Sequence, residues 1–152
     1  MIIFPHMLIG AAIGAKVHNF LAIFILSIIG HFIADKIPHW EYLDKDIRSL
    51  LPGKERIVFG TKVFLDLAFG SFLVFYFFWQ SPLLLYVLFG AAVSISPDFF
   101  VLLAAIFPKN KILAAYRNFH YKNHLPQKYR QRIFLSLFSE GIVLLFVLYL
   151  II

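Results

Sequence analysis

Three stretches of this chain, residues 57–78, 83–107 and 132–152, each run for more than twenty residues on apolar side chains with few charges. A helix rises 1.5 Å per residue, so about 17 to 25 residues cross the hydrocarbon core of a bilayer. Each stretch is long enough. Inside lipid the backbone polar groups find no water, which leaves the helix as the form such segments take. With 61% hydrophobic and 18% aromatic residues among 152, the apolar content exceeds what a water-soluble core of this size needs. Two further apolar stretches, 2–15 and 20–37, flank Lys16-Val17-His18-Asn19, which reads as a polar turn between antiparallel helices. The first is short, roughly 21 Å long at the helical rise. A signal peptide is the competing view of this segment, but no Lys or Arg precedes its apolar run. The expectation is one membrane-embedded domain over 1–152, an all-α polytopic bundle of five transmembrane helices.

The basic residues give that bundle an orientation. Lys36, Lys45, Arg48, Lys54, Arg56 and Lys62 fall in or beside loop 36–62, and Lys109, Lys111, Arg117, Lys122, Lys128, Arg130 and Arg132 in loop 108–132. Only Lys16 lies at the opposite helix ends. The positive-inside rule then puts the N-terminus and both long loops in the cytoplasm and Ile152 outside, in a cytoplasmic (inner) membrane. Topology accounts for nearly all of the net charge of +6, so the basic balance is not read as nucleic-acid binding. Cysteine is absent, which excludes thiolate and disulfide chemistry and leaves any metal to imidazole and carboxylate.

Leu8-Ile9-Gly10-Ala11-Ala12 and Leu88-Phe89-Gly90-Ala91-Ala92 echo each other. Small-residue runs of this kind let helix backbones approach closely, so the echo reads as packing rather than as a repeat. Loop 41–56, EYLDKDIRSLLPGKER, mixes both signs of charge with Leu50 and Leu51, as suits a segment at the headgroup level. The run Phe75-Tyr76-Phe77-Phe78-Trp79 reads as an interfacial aromatic belt.

Against this background the acids stand out. Glu41, Asp44, Asp46 and Glu55 are in the polar loop, whereas Asp35, Asp66, Asp98 and Glu140 fall in expected helices. Ionisable groups at such depth are costly and are candidates for a functional site. If the turn near His18 is the mirror point, His6 is twelve residues back and His31 thirteen forward, so an antiparallel pair brings them level. His31 and Asp35 share a helix face four residues apart. Asp66, Asp98 and Glu140 each sit roughly 12 to 14 Å in from the cytoplasmic end of a helix. All four carboxylates therefore belong to the cytoplasmic half, together with His6, His31 and His39, and His120 and His124 lie in the loop on that side. Unrelated polar residues would not select one half of the membrane.

An ordinary role stands beside each. Lys62 precedes Asp66 by four residues and can pair with it. Glu140 can be a hydrogen-bonding residue between helices, and His31 with Asp35 an interhelical polar pair. His6 after Pro5 can be interfacial, Asp98 after Pro97 a helix N-cap, and His120 and His124 solvated. His39 follows Pro38, which directs the chain out of the helix before it, yet it can fold back beside Asp35.

Imidazoles and carboxylates meeting in a half-buried pocket suit one or two divalent ions, zinc first and manganese or iron behind it. One carboxylate can bind the metal while another orients an imidazole. The metal-ligand candidates are His6, His31, Asp35, His39, Asp98, His120 and His124, and the candidates for a catalytic general base are Asp66 and Glu140.

The boxes PHMLIGAAIG, HFIADKIPHW and SISPDFF resemble those of the small bacterial inner-membrane proteins of the YdjM-like metal-dependent hydrolase family. More distantly, His31 and Asp35 with a following His are similar to the His-x-x-x-Asp spacing of zinc-dependent phospholipase C, an all-helical fold holding a cluster of zinc ions. The resemblance covers three short boxes. Pro97-Asp98 is followed here by Phe99, where the membrane family has a second acid, and the order of boxes differs from that of the phospholipase.

The resemblance implies a membrane hydrolase acting on a phosphoester in a lipid or amphipathic substrate, with a metal activating water and Asp66 or Glu140 taking a proton. Chains of buried Asp, Glu and His are equally expected in a carrier for metal ions or protons. Two axial His ligands in a haem-binding bundle are the third possibility.

Overall fold

A computed structural model describes residues 3–37, 39, 54–124 and 133–151. Loop 41–53 and the cations Lys128, Arg130 and Arg132 lie outside the described residues, so the headgroup reading of that loop has no structural counterpart here. The described residues form six helices and no strand: α1 Ile3–Lys16, α2 Phe20–Ala34, α3 Lys54–Phe78, α4 Leu84–Ile106, α5 Lys111–Asn123 and α6 Ile133–Ile151. The all-α expectation holds.

Five of these helices match the apolar stretches. The turn at Lys16–Asn19 is where α1 gives way to α2, and the Asn19 side chain caps α2 by accepting from the Ala22 amide at 3.0 Å. Helix α2 stops at Ala34, three residues short of the expected end, because Asp35 already serves as its C-cap. The sixth helix, α5, was read as loop. Asn110 starts it, its side chain accepting from the amides of Ile112 at 3.0 Å and Leu113 at 3.2 Å. Its polar and apolar residues alternate along a short amphipathic segment, which a search for long apolar runs passes over.

Helix α1 is the hub, touching α2, α3, α4 and α6. It is short, and small residues let its neighbours close in on all sides. Gly10 and Gly90 show how tightly: a Cβ added to either would lie 2.1 Å from the other's carbonyl oxygen. A Cβ on Gly14 would lie 2.2 Å from the Tyr86 carbonyl oxygen. The echoing glycine runs are thus the α1–α4 contact itself, backbone against backbone. Around that seam Met7, Leu8, Ala11, Ala12, Val74, Phe78, Val87, Ala91 and Val147 form the apolar core.

Asp66 explains how the N-terminus of α1 is held. Its two carboxylate oxygens accept from the amides of Ile3, at 2.5 Å, and Phe4, at 3.1 Å. These are among the first-turn donors that no helical carbonyl can reach, and a carboxylate suits the positive end of the helix dipole.

Two helices, α3 over Ile57–Phe78 and α4 over Leu84–Ile106, are long and apolar enough to cross a membrane. The apolar segments Ile3–Lys16, Phe20–Ala34 and Phe138–Val147 are shorter. Large apolar side chains face outward along the bundle, among them Leu21 and Phe24 on α2, Phe64, Phe72 and Tyr76 on α3, and Phe134, Leu145 and Tyr149 on α6.

Candidate metal centre

The site gathers where the ends of α1, α2 and α5 meet the second half of α4. His6 comes from the first turns of α1, His31 from the last turn of α2, Asp35 from the cap of that helix, and His39 from the chain just beyond. Asp98 comes from the second half of α4, and His120 and His124 from the end of α5. All seven metal-ligand candidates meet here. His6 and His31 do come level, their rings stacked with centroids 4.1 Å apart.

Asp35 is the centre and is fully buried. Its Oδ1 lies 3.2 Å from His6 Nε2, and its Oδ2 lies 3.1 Å from His31 Nε2, 3.1 Å from His124 Nε2 and 3.7 Å from His120 Nε2. Asp98 Oδ1 faces His120 Nε2 at 3.3 Å and His31 Nε2 at 3.8 Å. Asp98 forms the rim, its side chain 26% exposed. Two sets of donor atoms come within 4.8 Å of one another: His31, Asp35, Asp98 and His120, and Asp35, His39 and His124. These buried groups could hold a metal ion.

The tautomer of His31 sharpens that statement. Its Nδ1 donates to the carbonyl oxygen of Ser94 at 2.8 Å, and a carbonyl can only accept. Nε2 therefore presents a lone pair toward Asp35 Oδ2 unless it carries a second proton. Lone pair and carboxylate at 3.1 Å repel unless a cation lies between them. His39 is held in the same way, its Nδ1 donating to the Ile37 carbonyl at 2.6 Å. Backbone carbonyls that fix the far nitrogen of an imidazole are the usual outer partners of metal-binding histidines.

Pro97 interrupts α4 beside the His31 contact. A proline inside a helix gives no amide to the carbonyl four residues back and crowds it. In α4 that carbonyl is Val93, and the Ser96 hydroxyl donates to it at 2.7 Å in place of the missing amide. The neighbouring Ser94 carbonyl takes His31, and the Pro97 carbonyl accepts from the Tyr116 hydroxyl at 3.3 Å, tying α5 to α4. Asp98 is thus inside a continuing helix rather than at an N-cap. Burial, followed by the charges of Asp98 and Asp35, pushes the Tyr116 phenol up to about 12, so it remains a donor.

Asp66 and Glu140 belong to neither set of donor atoms. Asp66 is spent on the amides of α1, and Glu140 is buried on α6. His18 is at the far end of the bundle, its ring 6.0 Å from that of Tyr86. Ser94 and Tyr116 were not foreseen. The Ser94 role is played by a backbone carbonyl and leaves no mark on residue type, whereas the i, i+4 spacing of Tyr116 and His120 on one face was a signal available in the sequence.

No protein-family model, curated protein or solved structure matches this chain.

Proposed function

We propose that this chain is a membrane-embedded, metal-dependent hydrolase of the YdjM-like kind, holding zinc at the Asp35 cluster and cleaving a phosphoester of a lipid or amphipathic substrate. The observation that carries the metal is His31. With Nδ1 committed to the Ser94 carbonyl, its Nε2 needs a cation between itself and Asp35, and three further imidazoles aim Nε2 at the same carboxylate. One or two protons serve fewer contacts than these, whereas a divalent ion serves them together. Imidazole and carboxylate donors suit zinc, with manganese or iron behind it.

When bound, such an ion supplies Lewis acidity and makes water a nucleophile near neutral pH. The chain does the rest. Ser94 and Ile37 hold His31 and His39 with Nε2 turned inward, and His6, which is in neither donor set, orients Asp35 from its Oδ1 side. Asp98, at the exposed rim, would hold the ion together with His31 and His120, on the side from which solvent reaches the cluster. The expected bases Asp66 and Glu140 are in neither donor set.

The bundle crosses the inner membrane five times, with α1, α2 and α6 joining α3 and α4 as spans. The outward-facing aromatic and aliphatic side chains support this, since contiguous exposed apolar surface of this extent is unusual on a soluble monomer. The N-terminus and both basic loops face the cytoplasm by the distribution of Lys and Arg. Those loops draw an anionic lipid headgroup toward the cluster, each cation contributing about 1 kcal/mol near the surface.

A carrier for metal ions or protons is the second reading, and one observation bears on it. Ser27 and Ser94, one helical turn deeper than His31 and Asp98, are fully buried hydroxyls with no hydrogen-bond partner among the described residues, as a polar path into the membrane would offer. One turn deeper again the same faces carry Ile23 and Gly90, and Gly90 is closed against Gly10. The polar strip ends there, which favours a pocket over a path. The haem reading draws no support, since the His6 and His31 rings stack directly on one another.

The deciding experiment is elemental analysis of detergent-purified protein followed by assay against phospholipids. A stoichiometric divalent metal with chelator-sensitive release of phosphate or headgroup is expected. Metal-replete protein that cleaves no phosphoester, yet moves a cation across vesicles in an Asp98-dependent way, would favour the carrier instead.

A further inference from the structure

We propose that the cluster holds two divalent ions rather than one, joined by Asp35: a first ion on His31, Asp35, Asp98 and His120, and a second on Asp35, His39 and His124. This rests on the metal reading above and goes beyond it in number, ligand allotment and order of affinity.

Donor count is the first reason. Zinc in proteins is almost always four-coordinate. Six side chains in two overlapping sets are therefore more than one ion uses, and Asp35 is the only residue common to both sets. Nitrogen and oxygen donors bind zinc at about 2.0 to 2.2 Å, so two donors on one ion are at most about 4.4 Å apart. Each set, within 4.8 Å, is close to this limit by itself.

The outer partners give an independent reason. Each set contains one imidazole whose far nitrogen is fixed by a backbone carbonyl: His31 by Ser94 in the first, His39 by Ile37 in the second. Each set thus contains an imidazole already oriented from outside for a metal of its own. The two anchors are on different elements, one across the interface with α4 and one in the chain after α2.

The position of Asp35 in the fold explains why it is shared. Its amide makes the last four-residue bond of α2, to the His31 carbonyl at 3.0 Å, before Lys36 and Ile37 bond in tighter three-residue turns to Ile33 and Ala34. It meets His31 one turn back on α2, and His39, four residues on, offers a donor atom within 4.8 Å of it. His120 and His124, one turn apart on α5, then fall to the two sets respectively, with their Nε2 atoms 3.2 Å apart. Paired ions in hydrolytic sites are typically about 3.5 to 4 Å apart, so these two nitrogens mark the seam between neighbouring ions.

The two ions are unequal. Four protein ligands close the shell of the first, which is how structural zinc is held. Three ligands leave the second with a position for water or a substrate oxygen, as in catalytic zinc. The first ion is the tighter and the second the more readily removed.

Metal content of the full chain in detergent, titrated with zinc from the metal-free form, tests this. Two ions per chain in two affinity classes are expected. His39→Ala with His124→Ala retains one tight ion, and Asp98→Asn with His120→Ala loses the tight class. Loading with manganese should give spin coupling between neighbouring ions in the unaltered chain and none in His39→Ala, His124→Ala. Saturation of the unaltered chain at one ion, or two ions without coupling, would overturn the proposal while leaving the metal reading in place. No bound ion at all would overturn both. Because stoichiometry and coupling are read on the unaltered chain, misfolding of a variant does not remove the test.

Discussion

Replacing Gly90 or Gly10 with alanine asks one methyl group to enter a seam that has no room for it. A Cβ on Gly90 would lie 2.1 Å from the Gly10 carbonyl oxygen, where ordinary contact begins near 3.4 Å. The backbones of α1 and α4 would have to part by about 1.3 Å at that point, and neither obstructing atom is a flexible side chain that can swing away. Overpacking of this kind costs about 1 to 3 kcal/mol. For a chain of this length that is a fall in apparent Tm of about 2 to 12 °C. Gly60 and Gly141 provide the internal control, since nothing lies within 4 Å of a Cβ at either. There alanine should stabilise by up to about 1 kcal/mol through helix propensity alone. Thermal unfolding of the four variants, followed by helical circular dichroism in one detergent, should therefore move in opposite directions.

The same seam reaches the cluster. A Cβ on Gly10 would also lie 2.6 Å from the Ser94 Cβ, and the Ser94 carbonyl is what holds His31. Disturbing an outer partner of a metal ligand typically costs 10- to 100-fold in affinity. Gly10→Ala should thus weaken zinc binding by roughly that factor, measured by competition with a chelating dye. If Gly10→Ala and Gly90→Ala were as stable as Gly60→Ala, with unchanged zinc affinity, the backbone contact between α1 and α4 and its link to His31 would both be wrong.

Four other outcomes follow from the geometry. Asp35→Asn should strip the metal, because it removes the carboxylate that faces four imidazoles, whereas His18→Ala should leave metal content unchanged. Chelator should abolish phosphoester hydrolysis and added zinc should restore it, with no activity in Asp98→Asn and near-full activity in Lys16→Ala; metal-independent turnover would remove the metal from the chemistry. Asp66→Asn should cost about 1 to 2 kcal/mol by weakening the cap on α1, with metal stoichiometry intact, and loss of metal in that variant would return Asp66 to the site. Reporter fusions should place Lys54 and Lys128 in the cytoplasm and Ile152 outside, and finding either loop on the same side as Ile152 would exclude five spans.

Much of the site was legible because depth along a bundle is a linear coordinate on each helix. Counting residues from the turn at His18 was enough to level His6 with His31, and counting from helix ends put Asp98 in the same half. The glycine echo was legible for a related reason, since small residues at matching depth invite close approach. What counting could not supply was lateral position. Asp66 has the same depth as the cluster, yet the structure turns it to the amides of Ile3 and Phe4. Glu140 is likewise at the right depth, but on a helix whose residues are absent from both donor sets. Helix α5 was hidden for a different reason. It is amphipathic and short, so only its Asn110 cap and the spacing of Tyr116, His120 and His124 announce it.

The cluster is built from places where the helices stop being regular. Asp35 is a C-cap, His39 lies past the end of its helix, and His124 closes α5. Asp98 follows a proline that disturbs α4, and the carbonyl that fixes His31 is one turn before it. A helical carbonyl keeps a second lone pair, which can take an imidazole N–H where another helix comes close enough. Pro97 withholds its amide from the Val93 carbonyl, which the Ser96 hydroxyl takes over, and the next carbonyl along, that of Ser94, accepts from His31. The buried polar centre of this bundle is set against a close-packed glycine seam, one helical turn away on α1, from His6 to Gly10, and two turns away on α4, from Pro97 to Gly90.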